Sequence, residues 1–107
     1  PFPDAVQRRE LWKKAFPAAA PLAADVDFDF LSTQFMLSGA RIKQIALSAA
    51  VFAAAKPCSI DMYCILRALI IDLQKQNHTF VRQEFGKYQH ILDFLGEYEN
   101  DTTNAID

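Results

Sequence analysis

The nineteen residues from Leu37 to Ala55, LSGARIKQIALSAAVFAAA, constrain this chain more than any other stretch. Ile42, Ile45, Ala46, Ala49, Phe52 and Ala53 recur at the i, i+3, i+4, i+7 spacing of one buried helix face. Ser38 predicts a sharp start, because a serine hydroxyl can accept from a backbone N–H one turn further on. Gly39 and Ala40 carry almost no side chain, so something outside can approach the backbone closely there. The alanines let neighbouring helices come close. The stretch therefore predicts the central helix of a small bundle.

Its charges are placed oddly. Arg41 and Lys43 sit near a helix N-terminus, which already carries partial positive charge. Each cation costs roughly 0.3–1 kcal/mol at an exposed site of that kind. An anion held at the same end would reverse the sign, since helix N-termini bind phosphate well. Two readings stand: solvated charges that tolerate a small penalty, or cations that share the helix end with a bound anion.

The rest of the chain reads as further helices. Asp4 with Gln7 is a capping box for a first helix over about Ala5 to Phe16. Leu11, Trp12, Ala15 and Phe16 give it an apolar side. Arg8, Arg9, Lys13 and Lys14 give it a basic side, either solvated or a docking surface. Pro17 ends it, and Ala18 to Val26 is a loop lying across the bundle. Asp27 caps a short helix from Phe28 to about Phe35. Lys56-Pro57-Cys58 breaks the central helix, and Ser59 reads as the cap of the next, about Ile60 to Gln76. Met62, Ile65, Leu66, Leu69 and Leu73 form its apolar stripe. After a polar turn at Gln76 to Thr79, a last helix is expected over about Arg82 to Leu95, with Phe85, Tyr88, Leu92 and Leu95 inward and Gly96 as its stop. The prediction is an all-α fold, a small bundle of about five helices within residues 1–96. The polar tail, 97–107, is expected to be disordered.

Few function classes survive this reading. A chain of 107 residues suits one modest core. A formal net charge of −2 argues against nucleic acid as a partner. No apolar run approaches the ~20 residues of a membrane span, so no membrane role is expected. Cys58 and Cys64 lack metal-type spacing and read as reduced thiols of a cytoplasmic protein. His78 and His90 read as surface histidines. Asp25, Asp27 and Asp29 alternate, but the glycine and closing glutamate of a calcium loop are missing, so they read as capping residues and no metal site is expected. The start Pro1-Phe2-Pro3, without Met, reads as a piece of a longer protein.

Phe2-Pro3-Asp4 with Arg8-Arg9-Glu10-Leu11-Trp12 and Phe16-Pro17, then Phe35 to Ala50 (FMLSGARIKQIALSAA), then Ile60-Asp61-Met62 with Leu66, Ala68-Leu69 and Lys75, resemble the helical lid of an AAA+ ATPase. Glu84-Phe85-Gly86-Lys87-Tyr88 is similar to a branch of bacterial ATPases associated with phage-tail-like contractile injection systems. The resemblance implies that the chain packs over ATP and Mg held mainly by a large α/β subdomain of the same parent chain. It implies that Gly39 and Ala40 face the nucleotide. Arg41 falls where many members carry the sensor-2 arginine that reaches the γ-phosphate, and Lys43 is the second candidate. Neighbouring subunits of a ring are the implied further partners. The parent is expected to hydrolyse ATP, whereas this chain alone, lacking the phosphate loop, is not. The competing reading is a helical module that binds another protein or, less favourably, DNA through the basic side of the first helix. Exposed aromatics such as Phe2, Trp12 or Tyr98 would mark surface that the large subdomain covers.

Overall fold

A computed structural model describes residues 2–95. Gly96, Tyr98 and the tail lie outside them. The described chain is all-α: α1 (Ala5–Ala15), α2 (Phe28–Gln34), α3 (Gly39–Ala55), α4 (Met62–Lys75), a 3₁₀ segment (Arg82–Tyr88), and helical residues 89–95, which we label α5. Among the described residues there is no strand, and none of the helices is long and apolar enough to cross a membrane. As the sequence predicts, α3 is central, packing on α4 along one side and on α1 along another, while α1 also packs on α2.

Side chains fix where each helix starts. Asp4 accepts from the Gln7 N–H at 2.8 Å, and Gln7 Oε1 accepts from the Asp4 N–H at 2.9 Å, which completes the capping box. Asp27 accepts from Phe30 N–H, and Ser38 Oγ from Arg41 N–H. The start of α4 departs from the expectation. Its cap is Asp61, whose carboxylate accepts from Cys64 N–H at 2.9 Å, and not Ser59. Ile60 is held extended instead: its N–H donates to Pro21 O at 2.9 Å and its carbonyl accepts from Ala23 N–H at 2.8 Å. This isolated parallel bridge between Leu22 and Ile60 pins the 17–26 loop across the bundle and delays the helix by two residues. At the other end of α4, Asn77 adopts φ +54°, and the His78 N–H reaches back to Leu73 O at 2.9 Å. Asparagine tolerates this left-handed conformation better than most residues.

The core gathers where α1, α2, α3 and α4 meet. Trp12, Leu31, Ile42, Ile65, Leu69 and Phe85 are fully buried. The expected stripe of α4 is buried throughout. Phe52, expected inside, is only partly covered and lies under the guanidinium of Arg67 at 4.2 Å. Trp12 is enclosed and does not mark an exposed surface; it stacks on Phe16 at 6.2 Å. Phe2, by contrast, is 71% exposed.

The basic side of α1 also differs. Arg8 is only 6% exposed, with Nε donating to Ser32 O at 2.8 Å and Nη1 to Pro3 O at 2.7 Å. The last carbonyls of α2 have no intrahelical donors, and a cation complements that helix end. Arg8 satisfies one of them, that of Ser32, and so turns inward. Arg9 pairs with Asp29 at 2.6 Å, Lys13 lies 3.8 Å from Glu10, and Lys14 is exposed. The three aspartates near α2 serve separate partners: Asp25 accepts from Met62 N–H, Asp27 caps α2, and Asp29 pairs with Arg9.

The last expected helix is broken. Gly86 has φ +49° and ψ −127°, so the 3₁₀ turns before it and α5 after it are separate. The break lets the aromatic residues fold back over α2. Phe85 packs on Phe35 at 5.2 Å, and Tyr88 on Phe30 at 4.7 Å. The Tyr88 hydroxyl donates to Asp27 Oδ2 at 2.7 Å, with Lys87 Nζ 3.4 Å from the same oxygen. Phe85 and Leu95 are buried as expected, and Tyr88 and Leu92 are half-buried.

Two predictions follow from this segment. A Cβ at Gly86 would meet Phe30 Cε1 at 3.6 Å, an ordinary contact, so the cost of Gly86→Ala is in the backbone. That conformation should make the alanine variant about 1–3 kcal/mol less stable in urea unfolding. The second concerns pH. The Phe30 N–H, ahead of Tyr88 and Lys87, holds Asp27 below its ordinary value of 3.8. Burial, ahead of the bond to Asp27, pushes Tyr88 from 10.0 up to about 12. Stability from Asp27 is present above its ordinary value and is lost as pH falls below it. Stability from neutral Tyr88 is complete below its ordinary value and is lost as pH rises through the folded one. The difference in melting temperature between wild type and Tyr88→Phe should therefore narrow between about pH 9 and about pH 12. A constant difference would show that the Tyr88 hydroxyl does not titrate with folding.

Candidate functional site at the start of helix α3

The N-terminus of α3 is where Gly39, Ala40, Arg41 and Lys43 come together. Ser38, extended at φ −71° and ψ 160°, turns the chain into the helix. Its hydroxyl accepts from Arg41 N–H at 3.3 Å, and the N–H groups of Gly39 and Ala40 find no protein acceptor among the described residues. Ala40 is exposed and Gly39 is half-buried. A Cβ at Gly39 would meet Leu11 Cδ1 at 3.6 Å, so α1 covers one flank of this helix end. The helix end also opens into a depression lined by Phe2, Pro3, Ser38 and Gly39. Next to it, Val6, Gln7, Glu10, Leu11 and Lys14 line a second open, largely apolar surface. The helix end is thus partly flanked and not sealed.

The two candidate cations part company. A helix turns about 100° per residue, so Arg41 and Lys43 stand about 160° apart around the axis. Lys43 is exposed, stands about 40° from Gly39, and forms no ion pair among the described residues. Arg41 lies toward α4 and is held there by Asp72. Its Nε is 2.9 Å and its Nη2 2.6 Å from Asp72 Oδ2, with the two side chains 27% and 11% exposed. Charge-assisted bonds of this kind contribute about 1.5–3 kcal/mol, more than the ~0.3–1 kcal/mol that a cation loses against the helix dipole. Arg41 is therefore not a solvated charge, and an anion beside it is supplied from within the domain.

Sequence reasoning assigned Asp72 no role. A signal was present: Asp72 stands seven residues after Ile65 and three after Leu69, on the apolar stripe of α4. An acid on a buried stripe needs a partner.

A family model for the contractile injection system ATPase helical domain matches residues 4–70. The chain belongs to this family. The match runs from the α1 cap into the third turn of Met62–Lys75 and contains the whole Ser38–Lys43 segment. The helical domain of a phage-tail-like system's ATPase, suggested in the sequence by Glu84 to Tyr88, is thus found through residues that precede that motif. No curated protein matches the chain. Membership associates the domain with a larger ATPase chain and its assembly. The alternative of a free-standing basic interaction module also loses ground on geometry, because Arg8 is not on the solvated side of α1.

The Arg41–Asp72 pair should behave as one unit in folding. Arg41→Met or Asp72→Leu alone leaves a largely buried charge unpaired and should cost about 1–3 kcal/mol in urea denaturation. The double variant should cost less than the sum, with a coupling of about 0.5–3 kcal/mol. Strict additivity would show that the pair contributes nothing to stability.

Proposed function

We propose that this domain is the lid of an AAA+ ATPase in a contractile injection system, closing over ATP and Mg held mainly by a large α/β subdomain of the parent chain. What carries the reading is membership of the family over residues 4–70, with the α3 start inside the match. The open helix end supports it. Gly39 and Ala40 let a ligand approach the backbone, and their N–H groups together with the helix dipole favour an anion. In this reading the lid also faces neighbouring subunits of a ring, in the cytoplasm of a bacterial cell.

The chemistry assigned to the domain is positioning, not bond making. Phosphoryl transfer is accelerated mainly by placing charge around the transferred group. A ligand can move the lid only through contacts that differ between open and closed states. A guanidinium at Arg41 is such a contact, since it meets phosphate only when the lid is closed. Hydrolysis would then drive a rigid-body rotation of the domain. Lys43, exposed and on the Gly39 side of the helix, is the second candidate for the same contact.

The test is turnover in the full-length ATPase. The present chain alone should not hydrolyse ATP. In the parent, Arg41→Ala should lower kcat by about a hundredfold, the scale of one lost charge-stabilising donor. Because the substitution also strands Asp72, turnover should be read well below the melting temperature of the variant. Undiminished kcat in Arg41→Ala with a large loss in Lys43→Ala would transfer the role to Lys43. Undiminished kcat in both would remove the phosphate contact from this helix end.

A further inference from the structure

We infer that Asp72 is a positioning residue for the ATPase reaction: it holds the Arg41 guanidinium in a fixed orientation while leaving the donors that a phosphate would use. The inference rests on the lid reading above.

The geometry of the pair carries it. An arginine fork has five N–H donors: one on Nε and two on each terminal nitrogen. Asp72 binds side-on, with one oxygen, Oδ2, taking the Nε donor at 2.9 Å and one Nη2 donor at 2.6 Å. Both Nη1 donors and the second Nη2 donor make no bond to the protein among the described residues. Those three include the end-on edge with which arginine grips a phosphate bidentately. A carboxylate placed end-on would compete with phosphate for that edge. A side-on carboxylate leaves it open.

The support is rigid as well as correctly placed. Asp72 is 9% exposed and lies within α4 between buried Ile70 and Leu73. Among the described residues Arg41 is its one side-chain partner. The guanidinium is anchored at both ends, by its own backbone in the first turn of α3 and by a buried carboxylate on the neighbouring helix. An exposed arginine must lose much rotamer freedom when it meets a ligand, and here that loss occurs on folding. Asp72 lies just beyond the residues that the family model matches, so nothing in that match assigns it a role.

The experiment is a kinetic cycle in the full-length ATPase with Arg41→Ala, Asp72→Asn and the double variant, each checked for folding by circular dichroism. Asp72→Asn should lower kcat for ATP about tenfold and leave KM within about twofold, because the orientation matters most in the transition state. In the Arg41→Ala background the same change should lower kcat less than about twofold further, since there is no guanidinium left to orient. An equal loss in both backgrounds would mean a structural role only and overturns the inference. So does an unchanged kcat in Asp72→Asn, or a raised one, which would make the pair a restraint on Arg41. In each of those cases a large loss in Arg41→Ala leaves the lid reading standing. No loss in Arg41→Ala overturns the Arg41 contact and the inference together. If Asp72→Asn does not fold, Asp72→Glu takes its place: it keeps the charge but displaces the carboxylate by one methylene, and the same losses are expected.

Discussion

The packing of α3 on α4 is the contact on which the other parts of this domain depend. Ala46, Ala49 and Ala53 give α3 a smooth face, fully or almost fully buried. Small residues let two helix axes approach closely, and the stripe of Met62, Ile65, Leu66, Leu69 and Leu73 on α4 supplies the volume that fills the interior. Each of those larger side chains contributes about 1.5–3 kcal/mol by leaving water. The same proximity brings Asp72 within reach of Arg41, and it brings Ile60, just ahead of α4, against the 21–23 backbone. A bulkier residue at fully buried Ala49 would overpack this interior.

Around that contact, side chains satisfy backbone groups of several elements. A helix as short as α2 would be marginal alone, since isolated helices need about 12–15 residues to persist in water. It persists here because Asp27 caps its start, Arg8 takes up a carbonyl at its end, and Phe85 and Tyr88 cover its aromatic residues. Asp25 does a related service for α4 by accepting from Met62 N–H across the loop. One donor is left out: Nε1 of fully buried Trp12 has no partner among the described residues. An unsatisfied buried N–H costs about 1–3 kcal/mol, which the burial of so large a ring outweighs.

Local features were legible in the sequence, and pairings across the fold were not. The caps at Asp4, Asp27 and Ser38 and the stripe of α4 each depend on residues within a turn or two, so spacing alone reveals them. Ser59 and Asp61 are both good caps two residues apart. What decides between them is the bridge from Ile60 to the 21–23 backbone, some forty residues away in the chain. Arg8 reads as one more cation on a basic face until the Ser32 carbonyl is placed beside it. Gly86 sits among residues of good helical spacing, and the aromatic contacts with α2 that its break allows are made to residues far away in the chain. At the candidate site, the helix start with its glycine was readable, and so was the family. The partner of Arg41 was not, because nothing local links positions 41 and 72.

That partner changes what a cation at this helix end means. A flexible arginine reaches a ligand by its own motion, and its contact is only loosely tied to where the domain stands. An arginine clamped to a neighbouring helix moves with the body of the domain. Its distance to any external group is then set by the placement of α3 and α4 together, and a rotation that carries it away by about an ångström breaks the hydrogen bonds. Lys43, exposed and without an ion pair among the described residues, has no such coupling. A domain that has to report its own orientation to a phosphate is better served by the held residue than by the free one. In the proposed lid this favours Arg41 over Lys43 for a contact coupled to rigid-body motion, with Asp72 of α4 as the residue that would hold it.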